Sequence, residues 1–155
     1  MRKYKVNIVS LSKKVNEVLT HQNEMIQVVR DGRYRPFIIL LRLNYKGKNY
    51  TFALPLRSNI GKAPIETYFP LPNRKVTKDN RKHGLHYIKM IPIDSKFFSK
   101  YFIGNSVEER YLISYIEKHL DIIIKESQLY LKNYEKGKRY KYCIDIDDII
   151  KVLNL

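Results

Sequence analysis

A β-hairpin near the middle of the chain is the clearest element that the alternation of apolar and polar residues predicts. Residues 37–43 form an apolar run of strand length, and residues 49–56 return toward it. Between them, residues 44–48 carry turn chemistry, with Gly47 available for a positive φ. Pro55 lacks a backbone N–H, so we expect it to end the second strand or to place it at a sheet edge.

Shorter patterns surround this hairpin. Residues 4–9 alternate weakly, as an opening strand does, and residues 11–29 contain loose helical spacing that predicts a short helix. Residues 29–36 are expected to form a loop. A long basic loop is predicted from Arg57 to Gly84, with a short strand at 67–69, and a further strand at 85–93.

The last third of the chain has the pattern of a helix. Ser106 and Glu109 have the spacing of a capping box, and an apolar stripe continues to about Tyr134. A short final element is predicted at 144–153. A hairpin-rich half followed by one long C-terminal amphipathic helix indicates an α+β fold, and 155 residues suit a single domain spanning 1–155.

Composition narrows the class of protein. Apolar residues make up 44% of the chain, enough for a core, and no apolar run approaches the roughly 18 residues of a membrane span. The N-terminus lacks the apolar stretch of a signal peptide, so we expect a cytoplasmic protein without a membrane partner. Cys143 is the single cysteine, which excludes an internal disulfide and a cysteine-based zinc site.

The charge and its placement favour a polyanionic partner. The chain has 30 Lys and Arg against 15 Asp and Glu, a net of +15. Residues 1–94 hold 19 basic and 6 acidic side chains (+13), whereas residues 95–155 hold 11 and 9 (+2). An uneven excess of this kind is typical of nucleic-acid binding; an acidic membrane surface and a merely solvated face are the alternatives.

Metal-dependent hydrolysis is not favoured, and no cofactor is indicated. Two-metal sites need converging carboxylates, and residues 1–94 show no paired spacing of acidic residues. Asp145, Asp147 and Asp148 do cluster, but at a helix start they more readily satisfy exposed N–H groups and the helix dipole. His83 is a candidate general acid or base, and His86 a candidate phosphate contact; two loop histidines without such roles are the alternative.

Pairing geometry predicts where cationic groups converge. One segment, 33–35, precedes the first hairpin strand, and another, 57–62, follows the second. In an antiparallel hairpin these two ends are neighbours. RNA cleavage needs no protein nucleophile, because the substrate's own 2′-OH can attack, and cationic side chains then stabilise the added negative charge. Loops that grip phosphates without cutting remain the alternative.

Residues 74–83 form the most basic segment and are expected to grip the RNA backbone. Tyrosines can stack on unpaired bases, and we single out Tyr34 and Tyr68. The residues proposed from the sequence for RNA binding are Arg33, Tyr68, Arg74, Lys75, Lys78, Arg81, Lys82 and His86.

Three blocks of sequence resemble the ToxN/AbiQ family of endoribonuclease toxins from type III toxin–antitoxin systems, and look particularly like its CptN branch. The blocks run from Arg35 to Leu41, from Tyr50 to Ser58, and from Gly84 to Ile93. Their order and spacing carry the likeness, which spans nearly the whole chain.

The resemblance implies a compact, strongly bent antiparallel sheet with surrounding helices, similar to the Kid/MazF fold with its SH3-like barrel core. It implies metal-independent cleavage of cellular or phage mRNA to 2′,3′-cyclic phosphate and 5′-hydroxyl ends, and a role in phage defence. It also implies a pseudoknotted, repeated RNA antitoxin bound in a closed toxin–RNA assembly.

Family active sites have a hydroxyl residue after the Pro-Leu strand and a lysine soon afterwards. These positions correspond to Ser58 and Lys62, with Arg57 in place of the usual threonine. The family's basic residue before the first strand corresponds to Arg35 and its nearby tyrosine to Tyr34. The competing hypotheses are a non-catalytic RNA-binding module, which would not need Ser58, and a DNA-binding regulator, for which no helix-turn-helix is visible.

Overall fold

The computed structural model describes residues 6–19, 29–30, 33–34, 38–101 and 106–155. The strands in this part of the chain are β1 (Ile8–Leu11), β2 (Val29–Arg30), β3 (Arg33–Tyr34), β4 (Ile38–Tyr45), β5 (Lys48–Ile60), β6 (Tyr68–Leu71), β7 (Lys82–His86), β8 (Ile91–Pro92) and β9 (Phe98–Lys100). The helices are α1 (Lys13–Val18), α2 (Val107–Lys118), α3 (Leu120–Glu135) and α4 (Ile146–Leu153), with 3-10 turns at Ile65–Thr67, Tyr87–Lys89 and Ser95–Phe97.

Seven of the strands form one antiparallel sheet in the order β6-β7-β5-β4-β1-β9, with β8 also paired to β5. The α+β fold is therefore confirmed. Among the described strands β6 and β9 are edges, so the sheet is open, and the expected barrel core is not closed. β2 and β3 pair with each other as a separate two-stranded ribbon, within the segment 29–36 that the sequence predicts as a loop.

The predicted hairpin is confirmed as β4 and β5. Its two-residue turn is Lys46-Gly47, with φ of 51° and 81°. Positive φ at both positions is the conformation that matches the right-handed twist of paired strands. Glycine adopts it without strain, and the eight register pairs from Tyr45↔Lys48 to Ile38↔Pro55 follow from this turn.

The expectation that Pro55 ends the returning strand is wrong. β5 continues through it to Ile60 and pairs with β4 on one side along the way. On its other side β5 pairs with β8 at Phe52 and Ala53, and with β7 from Leu56 onward. Pro55 therefore lies where β5 changes partner, a position that tolerates a residue without a backbone donor.

Helices cover both faces of the sheet. One core contains alternate residues of the hairpin (Ile39, Leu41 and Phe52 among them) packed with α2 and α3. The second core lies on the opposite face, where Ala53 packs with α1 and α4. The alternation places successive side chains of β4 and β5 in different layers, as the pleat requires.

The helical pattern predicted as one long helix is interrupted at His119. The His119 Nδ1 lies 2.7 Å from the Tyr115 carbonyl and donates to it, and the His119 backbone N–H bonds to Ile116 O instead. Because Tyr115 O is the acceptor that an uninterrupted helix would offer to that N–H, the side chain competes with the helix. The predicted capping box is supported by the Ser106 hydroxyl, which accepts from Glu109 N.

The predicted strand 85–93 is also divided, into the end of β7, a 3-10 turn at Tyr87–Lys89 and β8. The last element is helical only, and Asp145 caps it by accepting from Asp148 N. No helix within the described ranges is long and apolar enough to cross a membrane.

Candidate nucleic-acid interface and active site

A cavity of about 420 Å³ opens where β5 ends. Three stretches of chain form its walls: the end of β5 with the turn that follows, the 3-10 turn after β7, and the segment between α3 and α4. The lining residues are Arg57, Ile60, Gly61, Lys62, Ala63, Pro64, Thr67, His86, Ile88, Lys89, Tyr140, Lys141 and Tyr142. Four of them are cationic at neutral pH and none is acidic.

Arg57 and His86 meet across the pairing of β5 with β7. The Arg57 Nη1 lies 3.3 Å from the His86 Nδ1, and a guanidinium can only donate, so Nδ1 accepts and Nε2 carries the ring proton. Burial, reinforced by the charges of Arg57 and Lys89, lowers the pKa of His86 to about 3. His86 is therefore neutral at physiological pH and holds the guanidinium of Arg57 beside the cavity.

Lys89 forms part of the cavity wall although only 8% of it is exposed. Its ammonium donates to the Tyr142 carbonyl at 2.7 Å. Tyr142 has a φ of 67°, a left-handed conformation that is uncommon for a tyrosine. The buried ammonium thus fixes the backbone at the point where the segment after α3 borders the cavity.

Ser58 lies on β5 beside Arg57, not on a loop, and is half-buried. The register with β7 shifts between Arg57 and Ile60, so the strand bulges at this point. Bulges re-aim side chains and are frequent next to active sites. Lys62 follows the strand, is exposed and lines the cavity. The structure therefore brings Arg57 and Lys62 together at one cavity, next to Ser58 in sequence.

Side chains outside the sheet also tie the basic segment 74–83 to the rest of the molecule. Asn59 donates to Val76 O and accepts from Lys78 N. Arg74 bonds Glu108 at 2.7 Å, and this interaction holds the pKa of the Glu108 carboxyl below its usual value. The remaining cations of the segment are exposed: Lys75, Lys78, Arg81 and Lys82.

Arg81 connects this segment to the cavity. A Cβ added at Gly61 would lie 2.5 Å from the Arg81 Nη1, so the guanidinium crosses directly over this cavity-lining glycine. The basic segment and the cavity therefore form one continuous cationic surface.

Two proposed site residues are buried away from this surface. His83 is 1% exposed, and its Nδ1 donates to the Pro72 carbonyl at 2.6 Å. Burial lowers the pKa of His83, which keeps its ring neutral. Tyr68 is 7% exposed and pairs with His86 in the sheet. Neither residue lines the cavity.

The segment before β4 is described only in part. Arg33 and Tyr34 form β3, of which the backbone alone is described, and Arg35 lies outside the described residues. The described register ends at Ile38↔Pro55, so the predicted approach of this segment to Ser58 stays a prediction.

Within the described ranges, no group of three or more His, Cys, Asp or Glu side chains could hold a metal ion. The acidic cluster at the start of α4 has other partners. Asp145 caps the helix, and Asp147 accepts from the Tyr45 hydroxyl and from the Lys46 ammonium, both at 2.9 Å. Burial raises the pKa of Asp147, but these two hydrogen bonds outweigh it, and the net shift is downward.

Two solved structures share this fold. One concerns a processed non-coding RNA that regulates a bacterial antiviral system; it matches with a TM-score of 0.70 and 17% identity, over 94% of this chain and 95% of its own. The other concerns bacterial type III toxin–antitoxin systems and selective toxin inhibition by a non-coding RNA pseudoknot. It matches with a TM-score of 0.71 and 13% identity, over 97% of both chains.

No protein-family model matches the chain, and neither does any curated protein. The two structural matches confirm the fold that the resemblance to the ToxN/AbiQ family implied.

Sequence reasoning missed the cavity wall between α3 and α4, and Lys89 in the wall beside it. Lys89, Tyr140, Lys141 and Tyr142 were not singled out, because they are far from β5 in sequence and carry no motif. One signal was available: Lys89 interrupts an otherwise apolar stretch, and a lysine among core residues is rarely buried without a specific partner.

Proposed function

We propose that this protein is a metal-independent endoribonuclease toxin of a type III toxin–antitoxin system, inhibited by a pseudoknotted RNA that it also processes. One observation carries the proposal: the fold shared with two RNA-associated proteins has, at the end of β5, a cationic cavity bordered by Arg57 and Lys62 beside Ser58. The net charge of +13 in residues 1–94 supports a polyanionic partner.

The proposed reaction is attack by the RNA 2′-OH on the adjacent phosphorus. The bond from the 2′ oxygen to phosphorus forms and the bond to the 5′ oxygen breaks; the 2′-OH loses a proton and the leaving oxygen gains one. Ser58 would orient the 2′-OH or a phosphate oxygen, and Arg57 and Lys62 would stabilise the added negative charge. Arg35 and Tyr34 complete the proposed site.

His86 takes a positioning role in this scheme, because its Nδ1 accepts from the Arg57 guanidinium that would contact the phosphate. His83 is left without a catalytic role, since it is buried and its Nδ1 is bonded to Pro72 O. The exposed cations of segment 74–83 would hold the RNA backbone on either side of the cut.

The test is the Ser58→Ala variant, with Ser114→Ala as the matched control on the exposed face of α2. Removing one positioned hydrogen-bonding group from such a site lowers the rate by about 10²–10³. We expect this loss in cleavage of RNA by purified Ser58→Ala, with loss of toxicity on induced expression and unchanged RNA affinity. Ser114→Ala should behave as wild type, and wild-type cleavage should persist in EDTA.

The contrary results are distinct. Ser58→Ala that cuts at the wild-type rate removes Ser58 from the site, and activity lost in EDTA and restored by Mg²⁺ overturns metal independence. Wild-type protein that binds RNA tightly without cutting it, and is not toxic, is instead an RNA-binding module.

A further inference from the structure

The lining of the cavity at the end of β5 combines cationic, aromatic and aliphatic residues. Its volume of about 420 Å³ lies within the range of small-molecule pockets. Apolar side chains, among them Ile60 and Ile88, share its lining with two tyrosines and the four cations. We propose that this cavity binds a single unpaired nucleotide of the RNA strand, with the phosphate at its cations and the base against its aromatic and aliphatic wall.

Charge is the first argument. Arg57, Lys62, Lys89 and Lys141 come from three separate parts of the chain and converge on one space whose lining contains no carboxylate. Arg81 adds a fifth cation where it crosses Gly61. Like charges gathered without an acid repel one another, and a bound phosphate removes that repulsion.

The aromatic wall is the second argument. Tyr140 is held by an approximately parallel contact with Tyr130, with ring centroids 6.3 Å apart and planes at 17°. Tyr142 is 59% exposed and contacts the Lys141 ammonium. Exposed rings beside cations are the arrangement with which proteins stack unpaired bases.

A buried donor supplies the third argument. His86 is 4% exposed, and because Nδ1 accepts from Arg57, its Nε2 carries a proton. That Nε2 has no hydrogen-bond partner in the described part of the protein. Buried donors are nearly always satisfied, and His86, which lines the cavity, carries one that no described group of the protein satisfies.

The wall is held in place before any ligand binds. The Lys89 ammonium fixes the Tyr142 carbonyl, and Ile144 N bonds Ile88 O just beyond it. Both bonds join the segment after α3 to the 3-10 turn after β7. A wall that is already ordered lowers the entropic penalty of binding a small ligand.

This inference rests on the proposed function for the identity of the ligand as RNA, and it is tested without cleavage. Ribonucleoside 5′-monophosphates, inorganic phosphate and a short glutamate peptide are titrated into the full-length protein by calorimetry. We expect at least one mononucleotide to bind more tightly than phosphate. Stacking on one aromatic ring is worth a factor of about 5 to 150 in affinity, so Tyr142→Ala should weaken nucleotide binding by that factor.

Two further variants make the test specific. Tyr142→Phe keeps the ring and should bind as wild type. Tyr111→Ala removes a tyrosine of the same exposure, 58%, from α2 and should also leave binding unchanged. The proposal is overturned if no mononucleotide binds at millimolar concentration, if phosphate or the peptide binds as tightly, or if Tyr142→Ala binds as wild type.

The two proposals fail separately. If mononucleotides bind in a way that depends on Tyr142 but the protein cuts no RNA, the nucleotide-binding cavity is supported and the nuclease proposal is refuted. If RNA cleavage depends on Ser58 but Tyr142→Ala does not change mononucleotide binding, the nuclease is supported and the nucleotide-binding cavity is refuted.

Discussion

The buried His86 makes the stability of the fold sensitive to mild acid. Its pKa is about 3 in the folded protein and about 6.5 in an unfolded chain, because burial and the Arg57 charge disfavour the protonated ring. Between these values the unfolded chain binds more protons than the folded one, so stability falls as the pH falls. Above about pH 6.5 the ring is neutral in both states and costs the folded protein no stability. As the pH falls from there toward about 3, the free energy of unfolding decreases progressively. Between pH 7 and pH 5 the loss from this one residue is about 2 kcal/mol.

The assay is urea unfolding followed by far-ultraviolet circular dichroism at about pH 7 and pH 5, on wild type and His86→Gln. The substitution removes the titrating ring, so the variant should lose about 2 kcal/mol less than wild type over this interval, whatever its stability at neutral pH. The lowered pKa of His83 acts in the same direction in both proteins and cancels in the comparison. Equal losses in the two proteins would refute the reasoning.

Two further predictions concern packing and charge. Gly84→Ala should destabilise the protein by about 1–3 kcal/mol in thermal unfolding, because a Cβ there would lie 2.5 Å from Phe69 O. Gly61→Ala is the control: its Cβ would meet only the movable end of the Arg81 side chain, so stability should change little. Equal effects of the two variants would contradict the close approach of β6 to Gly84. RNA affinity should fall about a thousandfold between 50 and 200 mM salt if six phosphates are contacted, and Lys78→Ala should reduce the slope of log K against log salt by about one, unlike Lys118→Ala. A flat response in filter binding would exclude a polyanion-binding surface.

Local patterns were sufficient for the elements whose determinants are close in sequence. The turn residues Lys46-Gly47 and the alternation on both sides specify the β4–β5 hairpin, and the capping residues Ser106 and Asp145 mark helix starts. Each of these depends on contacts within a few residues.

The errors arose where a residue's environment is set by distant chain. Pro55 reads as a strand terminator, but β5 exchanges one neighbour for another there, which no local pattern reveals. The pattern on both sides of His119 predicts one continuous helix, but the His119 ring bonds the Tyr115 carbonyl that such a helix would use. The cavity is a tertiary feature for the same reason. The sequence predicted a role for Arg57 from its place next to the Pro55-Leu56 pair, but no local pattern predicted one for Tyr142.

The position of Arg57 and Ser58 on β5 determines which parts of the cavity can adapt. Arg57 pairs with Gly84 of β7, so shifting the backbone here would disturb the ladder, and Ser58 follows directly where the register shifts. The rest of the lining lies on turns, which the bonds from Lys89 to Tyr142 and from Ile144 to Ile88 hold together. The cavity therefore has a part built on the sheet, which sets where a phosphate is held, and turns whose side chains form the surface beside the base. Selectivity for the base could then change through substitutions in residues 61–67 and 140–142 while the sheet stays as it is.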